Sequence, residues 1–553
     1  MLSDGKHGGR ADRPSGGVAF HHPVSFWMGS AAVTVGVLLH LPMYVGARDA
    51  GYELVGMSID ASMVVGMVLI IAGLAATLYG LVPSVARVGS APAALRVRAL
   101  DDARLSGAHV ALLAVIALAV TIDVMKPVTL SFVVPGMARE YGLRSELNPS
   151  GTVPIALLPL AGIVGTVLGS FLWGWLGDRA GRRASILFAA VVFIGTSICG
   201  SMPDYRWNLL MCFVMGLGVG GMLPITFTVM AEVIPARHRG WLMVLVGGDV
   251  AGAYIITSWL SSLLTPTYGW RALWLLGLPT GVLLVVLNRW IPESPRFLLQ
   301  NGREGEARAV MTRYGATVVE QATSELEVEG SVGHGWRQLF SGPFWRPSAV
   351  VVLFGLGVGL VTFGFQLWIP SNLQRLGFDE VTSATVLRDS ALLGLPATLV
   401  IAWLYGFWSS KKTMVVLGLL TAASLAAFAG LGDDVVDNRA RLYALLVLPI
   451  TGISSVLAVL IAYASEAFPT RIRSRGTGLA AAASKLGGVA VIAAVVVGVT
   501  PPSIATTALI GALPLTVGAL AMALVGIETR RRSLEEITAE ELTSSVASRV
   551  RQA

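Results

Sequence analysis

Charge is what this chain has least of. Only 13% of its 553 residues are Asp, Glu, Lys or Arg, about half of the roughly 25% usual in soluble domains. A soluble chain of this length usually divides into several domains, each needing its own polar exterior. A soluble enzyme, a disordered chain and a nucleic-acid binder are therefore excluded. Cysteine is nearly absent: Cys199 and Cys212, both in apolar runs, are too few for a disulfide framework. The chain also lacks a Walker sequence G-x-x-x-x-G-K-[ST], an H-E-x-x-H pair and any Cys/His cluster. Neither ATP, a resident metal nor another cofactor is expected. What is abundant is apolar: 54% of residues are hydrophobic, and the mean hydropathy is +0.71. An integral membrane protein remains.

A hydrocarbon core about 30 Å thick needs roughly 20 mostly apolar helical residues, whereas a barrel would show short alternating strands. The chain reads as fourteen helical spans, at about 26–47, 61–84, 107–136, 151–176, 184–202, 207–233, 241–265, 271–291, 348–371, 384–408, 413–431, 441–466, 477–499 and 503–527. None resembles a cleaved signal peptide. Lys and Arg gather in alternate loops: Lys6, Arg10 and Arg13; Arg87 to Arg104; Arg179, Arg182 and Arg183; Arg237 and Arg239; Lys411 and Lys412; Arg471, Arg473 and Arg475; Arg530 to Arg532. The other loops carry acids such as Asp49, Asp60, Asp433 and Asp434. This asymmetry predicts a multi-pass plasma-membrane protein with both termini cytoplasmic. The net charge of +7 is then topology, not affinity for acidic partners.

The predicted organisation is a cytoplasmic tail (1–25), an additional two-helix segment (26–84), a cytoplasmic loop (85–106), a six-helix half (107–291), a central cytoplasmic loop (292–347), a second six-helix half (348–527) and a cytoplasmic tail (528–553). Within the central loop, Glu304 to Tyr314 is expected to form an amphipathic surface helix. Two halves imply duplication, and the residues carry it. Glu232-Val-Ile-Pro235-Ala-Arg237-His-Arg239 after the sixth span is matched by Glu466-Ala-Phe-Pro469-Thr-Arg471-Ile-Arg473 after the twelfth. Each copy puts a carboxylate at a helix end, a proline to stop the helix, and arginines at headgroup depth. Membrane anchoring and a cytoplasmic ion-pair latch both fit.

Between the fourth and fifth spans stands Gly174-Trp-Leu-Gly-Asp178-Arg179-Ala-Gly181-Arg182-Arg183. With it come Gly216-x-Gly218-x-Gly220-Gly221-x-x-Pro224 and Pro292-Glu293-Ser294-Pro295-Arg296. On these motifs the chain resembles the major facilitator superfamily, in its sugar porter and metabolite:proton symporter branches, over roughly residues 107–530. The resemblance implies an all-α polytopic fold of twelve helices in two halves, with two additional N-terminal helices here. It implies that the first, fourth, seventh and tenth core helices line the cavity. Asp178 then caps or pairs across the half interface, and the arginines stabilise the outward-facing state. The second-half copy, Trp403 to Lys412, lacks the Asp.

Ionisable residues inside spans are functional candidates: Asp123 and Lys126, Asp249, Arg388 and Asp389, and Lys485. Asp123 and Lys126 share a helix face, and Pro127 invites a break beside them. Asp123 is the candidate proton-coupling carboxylate; the alternative is an Asp123–Lys126 pair that only fixes the helix. Arg388 and Asp389 point about 100° apart on a helix and are expected to find different partners, Arg388 being suited to a carboxylate or phosphate. Asp249 and Lys485 stand nine residues after Gly240 and Gly476, opposite charges at matched depth in the two halves. Three cations against three acids leave room for an anionic cargo. Phe363, Gln366, Trp368, Ser454, Ser455 and Tyr463 are further cavity candidates; the resemblance implies a pair of glutamines on the seventh core helix of sugar porters, and the lone Gln366 here weakens a hexose assignment. The glycines of 216–221 lie inside an apolar helix, where small residues permit close helix contact. The expectation is a secondary transporter, not an enzyme, coupling protons to a small organic anion or related metabolite. A sugar or polyol symporter, a drug or metabolite exporter and a non-transporting membrane sensor are the alternatives. The stretch Gly247-Gly248-Asp249 lacks the proline usual in exporters of the family.

Overall fold

Long runs of Leu, Val, Ala and Gly must satisfy their backbone polar groups internally in lipid, and the helix does so within one segment. The computed structural model describes residues 18, 20–82, 100, 103–145, 148–316, 336–340, 344–468, 470–498 and 503–529. The side chains at 171, 174, 175, 178, 236, 296, 300 and 470–474 lie outside that description. Among the described residues, thirteen helices are long and apolar enough to cross a membrane. At the remaining predicted position, the fourth, stands a helix of 24 residues. The additional pair is α1 (Pro23–Gly46) and α2 (Ala61–Leu81). The first half comprises α3 (Gly107–Glu140), α4 (Leu157–Ala180), α5 (Arg182–Ser201), α6 (Tyr205–Val233), α7 (Arg237–Tyr268) and α8 (Ala272–Trp290). The second comprises α9 (Trp345–Arg375), α10 (Glu380–Trp408), α11 (Ser410–Asp437), α12 (Arg439–Ala467), α13 (Thr470–Gly498) and α14 (Ile504–Val525). Caps set several starts: Asp60, Asp204, Asp379, Ser409 and Asn438 each accept a first-turn backbone N–H.

Prolines interrupt only some of these helices: Pro42 in α1 and Pro370 in α9 open a new helical stretch after a break. α3 runs unbroken through Pro127 and Pro135, against the expected break. Each proline still leaves the carbonyl four residues earlier without its helical donor, and neighbours supply replacements. Pro449 would orphan the Leu445 carbonyl, and Ser424 Oγ donates to it at 2.7 Å. Pro224 frees the Gly220 carbonyl, which accepts from Ser170 Oγ at 2.8 Å.

Glycines set the closest helix crossings. A Cβ on Gly216 of α6 would stand 2.0 Å from the Gly162 carbonyl oxygen of α4, so no other residue fits without parting the two helices. The additional hairpin α1–α2 uses the same device at Gly29 and Gly73, and packs Val33 and Ile70 beside Gly195 of α5. Its loop is tied to the first half. Tyr44 Oη donates to the Tyr268 carbonyl at 2.6 Å, the Tyr44 and Tyr52 rings stack at 4.9 Å, and the Leu54 N–H donates to Glu140 at 2.8 Å. In the central segment the helix Glu304–Arg313 buries Ala307, Val310 and Met311, and Tyr314 packs edge-on against His109 at the foot of α3. The expected amphipathic helix thus buries its apolar side against protein.

Candidate substrate cavity

Between the halves lies a cavity of about 200 Å³, lined mostly by apolar side chains including Leu130, Met215, Phe363, Leu457 and Ile461. Its polar lining includes Asp123, Ser131, Thr166, Tyr254, Thr362, Gln366, Ser484 and Lys485. It draws on core helices 1, 2, 4, 5, 7, 10 and 11 (α3, α4, α6, α7, α9, α12, α13), a wider set than the first, fourth, seventh and tenth alone. Pro127 lies on the same wall and withholds a backbone donor from the Asp123 carbonyl.

Asp123 is 2% exposed, and its Oδ1 has no hydrogen-bond partner among the described residues. Lys485, from the opposite half, is its electrostatic neighbour. The Lys485 ammonium donates to Ser170 Oγ and, at 3.0 Å, to the Gly220 carbonyl. Gln366 spans the cavity wall, its Nε2 donating to the Pro449 and Ile450 carbonyls at 2.7 and 3.1 Å. Tyr254 Oη donates to the Gln366 carbonyl at 3.2 Å, joining α7 to α9 across the halves.

Other expected site residues fall elsewhere. Lys126 does not pair with Asp123. Three residues on, about 60° around the helix, it points into the packing of the first half, where Nζ donates to the Phe193 carbonyl at 3.4 Å beside Gly277. Asp249 sits at a turn between two helical stretches of α7 and accepts from Thr121 of α3, within its own half. Arg388 and Asp389, expected to have different partners, bind each other: Nε donates to Oδ1 at 2.8 Å and Nη2 lies 2.7 Å from it. The long arginine side chain folds back over its neighbour, cancelling the 100° divergence, and neither residue lines the cavity. Tyr463 is fully buried near the basic end of the bundle and accepts from the Ile527 N–H at 3.0 Å. Trp368 is buried outside the lining. Ser454 and Ser455 bond back to carbonyls on their own helix.

At the basic end, Gly181 joins α4 to α5 at φ +102°, and a Cβ there would meet Glu293 Oε2 at 2.4 Å. Glycine is therefore required twice over at this position. Glu293 accepts the N–H groups of Arg182 and Arg183 at 2.8 and 3.3 Å, capping α5. Burial pushes its carboxyl above the ordinary range. Arg182 donates to the Gly177 carbonyl and lies over the Phe297 ring; Arg183 donates to Asn288 Oδ1. Arg179 is exposed. Gly174, Asp178, Arg471 and Arg473 lie outside the described side chains.

Glu528 repeats the Glu293 contact in the second half, accepting from the Ser410 N–H at 3.0 Å and its hydroxyl at 2.5 Å. Glu293-Ser294-x-Arg296 and Glu528-Thr529-x-Arg531 share the pattern E-[ST]-x-R, a signal present in the sequence and unused above. The residues expected to form a latch are arranged differently in the two halves. Glu466 accepts from Tyr405 and Thr529, each at 2.7 Å, and its Oε1 lies where a Cβ on Gly240 of the other half would stand, at 2.5 Å. Arg239 donates to the Ile234 carbonyl, Arg237 is exposed, and Glu232 Oε2 is buried without a partner among the described residues. At the opposite end, Arg139 of α3 pairs with Glu380 of α10 at 2.6 Å.

Known proteins resemble this chain along most of its length. The niacin transporter NiaP of Acinetobacter baylyi is 28% identical over 386 residues, covering 69% of this chain and 85% of that protein. The 4-hydroxybenzoate transporter PcaK of the same organism is 26% identical over 405 residues, covering 70% and 85%. The inner membrane metabolite transport protein YgcS of Escherichia coli is 31% identical over 346 residues, covering 59% and 72%. Among solved structures, the proton:xylose symporter XylE aligns with a TM-score of 0.61 at 18% identity, over 78% of this chain and 98% of that one, a likeness of fold alone. The profile of the Major Facilitator Superfamily matches residues 110–492, more than half of the chain, and the protein belongs to that superfamily of membrane transporters.

Proposed function

We propose that this transporter is a proton-coupled symporter of a small organic monoanion, of the size of a single aromatic ring with a carboxylate. The observation that carries the reading is that Asp123 and Lys485 both line one small, mostly apolar cavity between the halves. Lys485 supplies the positive charge for a carboxylate. Asp123, with an unpartnered buried oxygen, is the proton carrier: protonated with substrate bound, it leaves one cation for one anion. Size agrees, because an engineered apolar cavity of about 150 Å³ holds benzene. The relatives that carry niacin and 4-hydroxybenzoate by name support the same class. A hexose would need many hydrogen-bonding groups around it, and this lining is chiefly apolar. The basic loops support a plasma-membrane orientation with both termini cytoplasmic, and the same reading keeps the segment boundaries at 85, 107, 292, 348 and 528.

The test is uptake of labelled nicotinate and 4-hydroxybenzoate into proteoliposomes under an inward acid gradient. One proton per anion predicts about tenfold accumulation per pH unit, equivalent to about 1.4 kcal/mol. Asp123→Asn should bring accumulation to equilibrium while sparing exchange. Accumulation undiminished in that variant removes Asp123 from coupling, and no gradient-driven uptake across a panel of small carboxylates refutes the proposal.

A further inference from the structure

Lys485 is held in an unusual way for the cation of an anion site. Its ammonium does not contact Asp123 directly; it crosses from α13 to bond neutral acceptors on α4 and α6 of the other half, Ser170 Oγ and the Gly220 carbonyl. This acceptor pair has a cause in the sequence. Pro224, one helical turn after Gly220, cannot donate to that carbonyl, so the oxygen is free to accept from outside its helix. Ser170 completes the cradle: its Oγ lies 2.9 Å from the Thr166 carbonyl oxygen and 2.8 Å from the Gly220 carbonyl oxygen, so its one proton is donated to these acceptors and its lone pairs are left for the ammonium. The helices meet with no slack nearby, since a Cβ on Gly488, the next α13 turn, would contact Ile163 of α4 at 2.3 Å. Ser484 and Lys485 of α13 and Thr166 of α4 face the cavity, so the cradle borders the space a substrate would enter.

Resting on the anion reading above, we infer that Ser170 and the Pro224-freed Gly220 carbonyl are a parking site for Lys485, and that an entering carboxylate draws the ammonium off it, unfastening α13 from α4 and α6. The two positions compete. A carboxylate accepts from an ammonium more strongly than a neutral carbonyl or hydroxyl does, so the bound anion wins the cation and the inter-half tether is lost in the same event. The lysine that recognises substrate is then the one that releases the halves, and Ser170 is a positioning residue acting through it.

Weakening the cradle should free the ammonium for substrate and loosen the empty carrier. In nicotinate and 4-hydroxybenzoate uptake, Ser170→Ala should lower KM about threefold or more and reduce Vmax, whereas Lys485→Ala should raise KM at least tenfold. Pro224→Ala returns an N–H to the Gly220 carbonyl and should shift KM in the same direction as Ser170→Ala. It serves where Ser170→Ala does not fold. A merely structural role for Ser170 would leave KM unchanged or raise it, and either result overturns the inference. The second readout needs no substrate: pulsed electron paramagnetic resonance between spin labels at two exposed positions, Thr312 on the central-segment helix whose end packs against His109 of the first half, and Lys412 of the second half. Without ligand, either cradle variant should broaden and lengthen the distance distribution relative to the parent protein. If the parent transports no carboxylate, the anion reading falls, and the cradle is judged by this distance alone. A distribution identical to the parent's then overturns it.

Discussion

Glu140→Gln should destabilise the first half and loosen the additional hairpin from it. Glu140 and Arg271 form an ion pair at 2.6 Å with side chains 3% and 0% exposed. Glu140 accepts four donors: the Leu54 N–H at 2.8 Å, Trp270 Nε1 at 2.9 Å, and Arg271 Nε and Nη2 at 3.2 and 2.6 Å. An amide keeps one oxygen but turns an NH₂ toward groups that are all donors. Breaking a buried pair from one side costs about 3–5 kcal/mol. The remaining guanidinium keeps some compensation: it lies over Trp270 at 4.5 Å and donates to Tyr141 Oη and the Met202 carbonyl. A value near the lower limit, about 3 kcal/mol, is therefore expected. Replacing both members with neutral residues, Glu140→Gln with Arg271→Met, removes the stranded charge and should recover about 2 kcal/mol. Equilibrium unfolding in mixed detergent micelles measures both. Proteolysis within 47–60 should accelerate in the single variant, since Leu54 loses its acceptor. A loss below about 1 kcal/mol in the single variant, or a double variant less stable than it, refutes the argument.

Gly216→Ala should separate α4 from α6, costing about 1–3 kcal/mol of overpacking and lowering uptake, while Gly107→Ala, whose Cβ meets nothing within 4 Å, should be neutral; equal effects in a thermal-shift assay would refute the packing account. Because Arg388 and Asp389 satisfy each other outside the cavity, the double substitution to Ala should leave the substrate KM within about twofold, whereas a tenfold rise (about 1.4 kcal/mol) would return them to the site. Burial raises the Glu293 carboxyl above its ordinary 4.5, so the folded state holds that proton more tightly than the unfolded one. Its contribution to stability is therefore greatest below the ordinary value and declines as pH rises through the folded value; Glu293→Gln should remove that decline in the window from 4.5 up to the folded value, and an unchanged slope there would refute the assignment.

Helix number was legible because a span is a long local signal: about 20 apolar residues announce themselves whatever surrounds them. The family was legible because the turn between α4 and α5 needs specific residues, such as Gly181 at a positive φ against Glu293. Partners were less so. Lys126 and Asp123 share a face by helical arithmetic, yet Gly277 opens a space for the lysine in one direction and the cavity lies in another; neither is a local property. Arg388 and Asp389 failed for the opposite reason, since a Cβ direction does not limit where a long flexible side chain ends. Tyr254 and Ser170, ordinary residues on apolar helices, carried no signal. Pro224 did carry one: a proline inside a span marks a free carbonyl four residues earlier, here Gly220.

The polar contacts divide by what they join. Within the first half, Glu140–Arg271 and Glu293 at the start of α5 are buried and multiply bonded. Several that cross between halves are single and replaceable: Arg139–Glu380 with its arginine 59% exposed, Tyr254 on one carbonyl, Lys485 on two neutral acceptors. Contacts of the first kind are costly to break because each partner would be stranded away from water. The exposed Arg139–Glu380 pair exchanges for water at small cost, since exposed pairs are worth about 0–1 kcal/mol, and on the proposed mechanism the Lys485 contacts give way to a substrate carboxylate, a stronger acceptor than a neutral carbonyl or hydroxyl. A carrier that moves as two rigid bodies requires this distribution, and its reverse would bend the halves before parting them. The additional hairpin is bonded to Glu140 and Tyr268 of the first half, so on the proposed mechanism it should travel with that body, and Lys485 crosses the seam that would open.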